Sequence, residues 1–319
     1  MAAELVIQNG SRLFYPVVEE GIEWSTERYG SPGKLTFKVI LDEALDITEG
    51  NQVVFRWNDQ DVFSGFIFSK KMDKERIITV TAYDQLRYFK NKESYVYENK
   101  TAAEVLRMVC DDFGMPVGTI DPTGYLIPSR IEDGQTLFDI VQNALDQTLT
   151  NTKTMYVLFD EFGKISLRGL ENMIVPILID EETGQNYDYE SSIDESTYNQ
   201  IKLVYDNEET GQRDVYVAQS SENMNAWGVL QYYDTLSDGE NGEAKADALL
   251  KLYNQKTRRL SVKEAFGDTR VRAGSMVGVV LDLGDVKLQN FMLVESCKHV
   301  FRLDEHTMDL NLRGGEFVG

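Results

Sequence analysis

The chain has 319 residues, of which 42% are hydrophobic and 27% charged, and its formal net charge is −21. That length corresponds to about two to three domains, and the composition is that of a soluble globular protein rather than a disordered or fibrous one. The charge excludes a protein that grips nucleic acid or an anionic membrane through clustered lysine and arginine, and no apolar run approaches the ~18 residues of a membrane-spanning helix.

The N-terminus, "MAAELVIQNGSRLFYP", has no basic segment followed by an apolar core, so no signal peptide and no export by the general secretory route are expected. Cys110 and Cys297 are far apart and no CxxC occurs; two reduced, buried thiols of a cytosolic protein are expected. The only histidines are His299 and His306.

Residues 1–95 read as a first small antiparallel barrel of the tube type. "ELVIQNGSRLFYPVV" gives two short strands around Asn9-Gly10. "KLTFKVILD" alternates, with Leu35, Phe37 and Val39 on one face and Thr36, Lys38 and Ile40 on the other. "NQVVFRWNDQDVFSGFIFSKKMDKERIITVTAYD" is a three-stranded meander turning at Asn58-Asp59-Gln60 and at Asp73-Lys74-Glu75. Gly65 inside a strand predicts a bulge or bend.

Residues 96–172 form an α+β module. Thr101 and Glu104 make a capping box, and Val105, Leu106, Val109 and Phe113 recur at helical spacing until Gly114 and Pro116 stop the helix. A second helix begins near Thr136, with Asp139 in its first turn and an apolar stripe of Leu137, Val141, Ala144, Leu145 and Leu149. A hairpin then turns at Asp160-Glu161-Phe162-Gly163.

Residues 173–196 read as an acidic connector with one strand. Residues 197–219 carry another hairpin around Glu208-Glu209-Thr210-Gly211. Residues 220–259 are a helical insert whose helix, marked by Ala244, Ala248, Leu249 and Leu252, ends in Lys256, Arg258 and Arg259. The β pattern resumes from Leu260, so 197–219 with 260–319 is expected to form a second tube-type barrel. Its order resembles the first at low position-by-position identity, which is compatible with a duplication without demonstrating a repeat. The fold class is thus mainly β with α+β.

Paired carboxylates could serve a glycosidase-type reaction, and "CDDFG", "DEFG" and "DEETG" supply pairs. Each lies at a helix end or turn, where Asp and Glu are expected anyway. DEFG lacks the glycine-rich loop, lysine strand and HRD loop of a kinase. His299 and His306 could bind metal with Asp304 or Glu305, but a solvent-facing hairpin is the simpler expectation. GxSxG, GxxxxGK[ST] and GxGxxG are absent, and the acidic loop "YDTLSDGENGEAKAD" lacks the terminal Glu of a calcium loop. No catalytic, metal or cofactor residue is therefore expected, and no specific nucleic-acid binding or membrane insertion. Tyr83, Tyr88, Tyr95 and Tyr97 are expected to pack the seam between barrel and helical module, hydroxyls outward.

The segments "AYDQLRYFKN", "TGYLIPSRIEDGQTLFDI" and "MYVLFDEFGKISLRGLENM" resemble the baseplate hub proteins of contractile-tailed phages, in particular the XkdQ/YqbQ type of defective prophages of Gram-positive bacteria. The resemblance implies a virion structural protein rather than an enzyme. It also implies a homotrimer of two-barrel subunits, a pseudo-hexameric ring adapting a sixfold tail tube to a threefold spike. Its partners would be the trimeric spike protein, a tail tube or adaptor protein and the tape-measure protein. The site would be the tail baseplate, reached after assembly in the bacterial host cytoplasm, in a phage or a tail-like bacteriocin. Some hubs carry an appended muralytic domain; after "LNLRGGEFVG" none is expected here, and wall hydrolysis would fall to another protein. A peptidoglycan hydrolase using paired carboxylates is the alternative reading, and a calcium-binding adhesin or lectin-like module a third.

Overall fold

The computed structural model describes residues 3–42, 44–183, 186–194, 197–207, 211–236, 241–284, 287–303 and 305–314. The chain forms two compact units, one of Met1–Asp188 with Leu260–Gly319 and one of Tyr189–Arg259.

Strands β1 (Ala3–Asn9) and β2 (Arg12–Phe14) make the expected hairpin. Gly10 turns it with φ +60°, a conformation glycine adopts without steric cost. Strand β3 (Val18–Glu27) was not legible in the sequence, and β4 (Lys34–Ile40) follows it. In β4, Leu35, Phe37 and Val39 are buried while Lys38 and Ile40 are exposed, as the alternation predicts. Strands β5 (Gln52–Trp57), β6 (Gln60–Met72) and β7 (Ile77–Tyr83) are the expected meander. Asn58 and Asp59 both take positive φ, which matches the turn to the twist of the strands it joins. The next turn is held by the Asp73 carboxylate, which accepts from the Glu75 and Ile77 amides. Gly65 does not mark a bulge. The register of β6 shifts instead beside Val62 and Phe68. Gly65 is needed because a Cβ there would collide with the Tyr83 carbonyl.

A 3-10 helix (Gln85–Lys90) leads to β8 (Lys92–Lys100), α1 (Ala102–Asp112), β9 (Val117–Ile120), β10 (Ile127–Thr136), α2 (Leu137–Thr152), β11 (Tyr156–Asp160) and β12 (Ile165–Gly169). The capping box at Thr101 and Glu104 is formed. Val105, Leu106, Val109, Leu137, Val141, Ala144 and Leu145 pack one core with Ile165 and Leu167. Leu86 and Phe89 belong to the same core, so the module starts just after Asp84 rather than at residue 96. Phe113 is the C-cap of α1 and lies exposed; Cys110 takes the buried position instead. β8 and β10 form a ribbon of their own, and β9 adds in parallel to the β11–β12 hairpin.

Strands β13 (Ile174–Ile179) and β14 (Asn186–Ser192) follow. The second unit contains β15 (Gln200–Asn207), β16 (Gln212–Gln219), α3 (Ser221–Trp227), β17 (Gln231–Thr235) and α4 (Gly242–Tyr253). The chain ends in β18 (Thr257–Phe266), β19 (Met276–Asp282), β20 (Lys287–Phe301) and β21 (His306–Arg313).

Two expectations fail. The hairpin at 197–219 does not pair with the strands after 260: β15 lies between β16 and β17 in a separate sheet. Ile201, Leu203 and Ala218 bury there in a core shared with Ala246, so the insert's helix covers this hairpin. The helix also stops at Tyr253, and Arg258 and Arg259 stand on β18, where alternating Leu260 and Val262 are buried. The residues 208–210 of the expected turn lie outside the described residues.

The large sheet runs β14-β18-β21-β20-β3-β4-β7-β6-β5-β1-β2, with β19 pairing β13 and β20 off this path. β20 is the branch. Its first half pairs with β19 and its second half with β3, while β21 follows it along the other side. The strands before residue 84 and those after 257 are thereby hydrogen-bonded into one sheet, and Phe301 of β20 enters the core with Phe37, Phe55 and Trp57.

Candidate functional site

Charged and polar side chains converge where β7, β11 and the β18–β19 connection meet. Asp84 follows β7 and caps the 3-10 helix: Oδ1 accepts from the Leu86 amide at 3.0 Å and Oδ2 from the Gly33 amide at 2.8 Å. Asp160 ends β11; its carboxylate accepts from the Gly163 amide at 2.7 Å and the Gln85 amide at 3.3 Å. Arg272 donates from Nη1 to the Asp160 carbonyl at 2.7 Å and lies over the Phe159 ring. The next residue, Ala273, donates its amide to Thr26 Oγ1 at 2.9 Å. Burial raises Asp84 well above the usual carboxylate range, helped by the Asp160 charge, and raises Asp160 to about 6; Arg272 opposes both shifts. Burial in turn lowers Arg272.

This carboxylate pair has the raised pKa of many catalytic pairs, but both residues are at least 95% buried and, among the described residues, every hydrogen bond their carboxylates accept comes from a backbone amide. They hold three segments together. The opening of "DEFG" is therefore a structural joint, and its partner Asp84 stands in "AYDQL".

A second joint lies at the branch of β20. The β20–β21 register slips at Glu295, the residue between the two pairing halves. Its carboxylate receives Arg28 Nε at 2.7 Å and Nη2 at 2.8 Å, a bidentate fork that fixes both direction and distance. The Arg28 amide also donates to the Glu295 carbonyl.

The histidines are not on a solvent-facing hairpin. His299 Nδ1 and His306 Nε2 are 2.9 Å apart, and His299 Nε2 is 2.8 Å from the Val271 carbonyl. The carbonyl can only accept, so His299 carries its proton on Nε2 and accepts on Nδ1 from His306 Nε2–H. Trp24 and Phe301 stack on His299, and burial lowers His299 to about 3 and His306 to about 4. Cys297 Sγ is 3.0 Å from His299 Nε2, and burial pushes its thiol up. Both cysteines are free and buried.

Among the described residues no group of three or more His, Cys, Asp and Glu is placed to hold a metal ion. Glu305 pairs with Arg302, and Asp304 lies outside the described residues. Asp180 of "DEETG" binds the Thr183 amide and hydroxyl within its turn. In the acidic loop, residues 237–240 lie outside the described residues and Asn241 caps α4. Tyr83 and Tyr88 pack on Phe68 as a seam should, but Tyr97 is buried and its hydroxyl has no hydrogen-bond partner among the described residues. Sequence reasoning missed Arg28, Arg272 and Trp24. Trp24 has a local signal, a large ring within a strand, whereas Arg28 and Arg272 lie just outside strands, in connections that carry no periodicity.

A family model described as YQBQ-like matches residues 22–313. The chain is 30% identical over 311 residues to the uncharacterized protein YqbQ of Bacillus subtilis (strain 168), covering 93% of this chain and 92% of that protein. It is 28% identical over 308 residues to the phage-like element PBSX protein XkdQ of the same strain, with the same coverage. Its fold is similar to that of the tail protein from Neisseria meningitidis MC58, with a TM-score of 0.72 and 11% identity over 99% of this chain and 98% of that one.

Proposed function

From the premise that this chain belongs to the YQBQ-like family, we propose that it is a structural protein of a phage tail or phage-like particle and serves as its baseplate hub. Three copies would join a sixfold tail tube to a threefold spike, with the spike protein, a tube or adaptor protein and the tape-measure protein as partners. The assembled particle would carry it in the tail baseplate, after assembly in the bacterial host cytoplasm. The observation that carries the reading is the near full-length agreement with a phage-like element protein in sequence and with a tail protein in fold.

The physical chemistry supports assembly over catalysis. The carboxylates that look most catalytic are fixed by backbone amides inside the fold. The net charge of −21 suits a conduit whose wall repels a passing polyanion. The hydrolase alternative expects turnover of purified peptidoglycan, and none is expected here. The deciding measurement is co-expression with the spike protein of the same gene cluster, followed by light scattering. A complex of three chains with three spike chains is expected; a chain that stays alone with both spike and tube proteins overturns the hub.

A further inference from the structure

A cleft of about 360 Å³ opens in the first unit between the β3–β4 connection and α2. Leu86, Phe138 and Tyr156 give it an apolar floor, and Glu27, Asp139 and Asp146 stand exposed around it. Arg28 also reaches the cleft, but its guanidinium is already forked onto Glu295 and stacked at 3.6 Å on Tyr29. Asp139 accepts from the Thr136 hydroxyl and Asp146 from the Gln142 amide, both neutral donors that bring no countercharge. Among the described residues no cation lies within ion-pair distance of these three carboxylates. Tyr29 is 46% exposed and offers the cleft an aromatic ring.

We propose that this cleft is a docking site for a polypeptide segment that carries arginine or lysine beside apolar side chains. Charge complementarity selects the occupant. A purely apolar segment would strip water from carboxylates without pairing them, which is costly. A second copy of this chain brings its own −21 and like charge to the rim. A cationic segment instead finds carboxylates at the rim and a floor for its apolar neighbours. That the segment belongs to another tail protein rests on the function proposed above; the chemistry of the cleft does not.

The test uses the full chain and a fluorescently labelled peptide alternating arginine and leucine, followed by anisotropy at low and high salt. Glu27→Gln with Asp146→Asn removes two rim charges and leaves Asp139 to the first turn of α2. Two exposed charges correspond to roughly a fivefold loss of affinity. The control, Asp59→Asn with Glu75→Gln, removes two exposed charges of the same unit that do not line the cleft and is expected to leave affinity unchanged. Replacing leucine by serine in the peptide is expected to weaken binding further. The proposal is overturned if both double variants weaken binding equally, if serine is tolerated, or if the peptide does not bind. Each outcome is read on the isolated chain, so it is separate from the fate of the hub, which the spike complex decides.

Discussion

Gly33 sits so close to Asp84 that a Cβ would collide with the carboxylate Oδ2 to which the Gly33 amide donates. Gly33→Ala should therefore destabilise the protein by about 2 kcal/mol, as overpacking of a fixed site does, read as a lower midpoint of urea unfolding. The joint and the histidine pair respond to acid in opposite senses. Asp160 is raised from 3.8 to about 6, so the folded state holds its proton where the unfolded state has lost it. Its contribution to stability is full below about 3.8 and is lost as pH rises through about 6. The histidines are lowered from 6.5 to about 3 and 4; their contribution is full above 6.5 and is lost as pH falls toward those values. Asp160→Asn removes the compensating carboxyl, so its unfolding free energy should fall more steeply than the wild type's between pH 7 and pH 5, by about 1 kcal/mol. An unchanged slope would place the Asp160 pKa in the ordinary range. Independently, nitrogen-15 NMR should show both imidazoles neutral at pH 5, each with the proton on Nε2.

Elements formed where local chemistry was unambiguous. The Thr101–Glu104 box closes α1 with reciprocal bonds between side chain and backbone, and Thr101→Ala should cost about 1 kcal/mol, measured by chemical unfolding. The Asn58-Asp59 turn and the alternating β4 were equally plain because each depends on residues adjacent in sequence. β3 was not. "VEEGIEWSTE" has glycine at its centre, and its register against β4 shifts between Glu19 and Glu23. That irregularity spoils the period by which a strand is recognised, while β20 on its other flank supplies the pairing that holds it.

At the scale of the whole molecule, the chain leaves the first unit at Asp188 and re-enters it at Leu260. Tyr189–Arg259 has its own three-stranded sheet and its own core around Ile201 and Leu203. Thr257 Oγ1 donates to the Ser192 carbonyl, so the chain entering this segment lies beside the chain leaving it. Replacing 193–256 by a short glycine-serine linker, which keeps β14 and β18 whole, should leave a cooperatively folding protein with the large sheet intact, checked by thermal denaturation and circular dichroism. Loss of the cooperative transition would show that the first unit depends on the second.

The sequence by itself determined the mainly β composition, the meander of β5 to β7, the two capped helices with the hairpin after them, and the motifs that resemble tail baseplate proteins. Each is encoded in neighbouring residues through turn chemistry, capping or period. The tertiary structure alone decided that β20 branches between β19 and β3, that the hairpin at 200–219 joins α4 rather than the last strands, and that His299, His306, Asp84 and Asp160 are interior. Periodicity says which face of an element is apolar but not which core that face will meet. A polar residue becomes a joint only when segments far apart in the chain bring it a backbone amide, a guanidinium or a second imidazole.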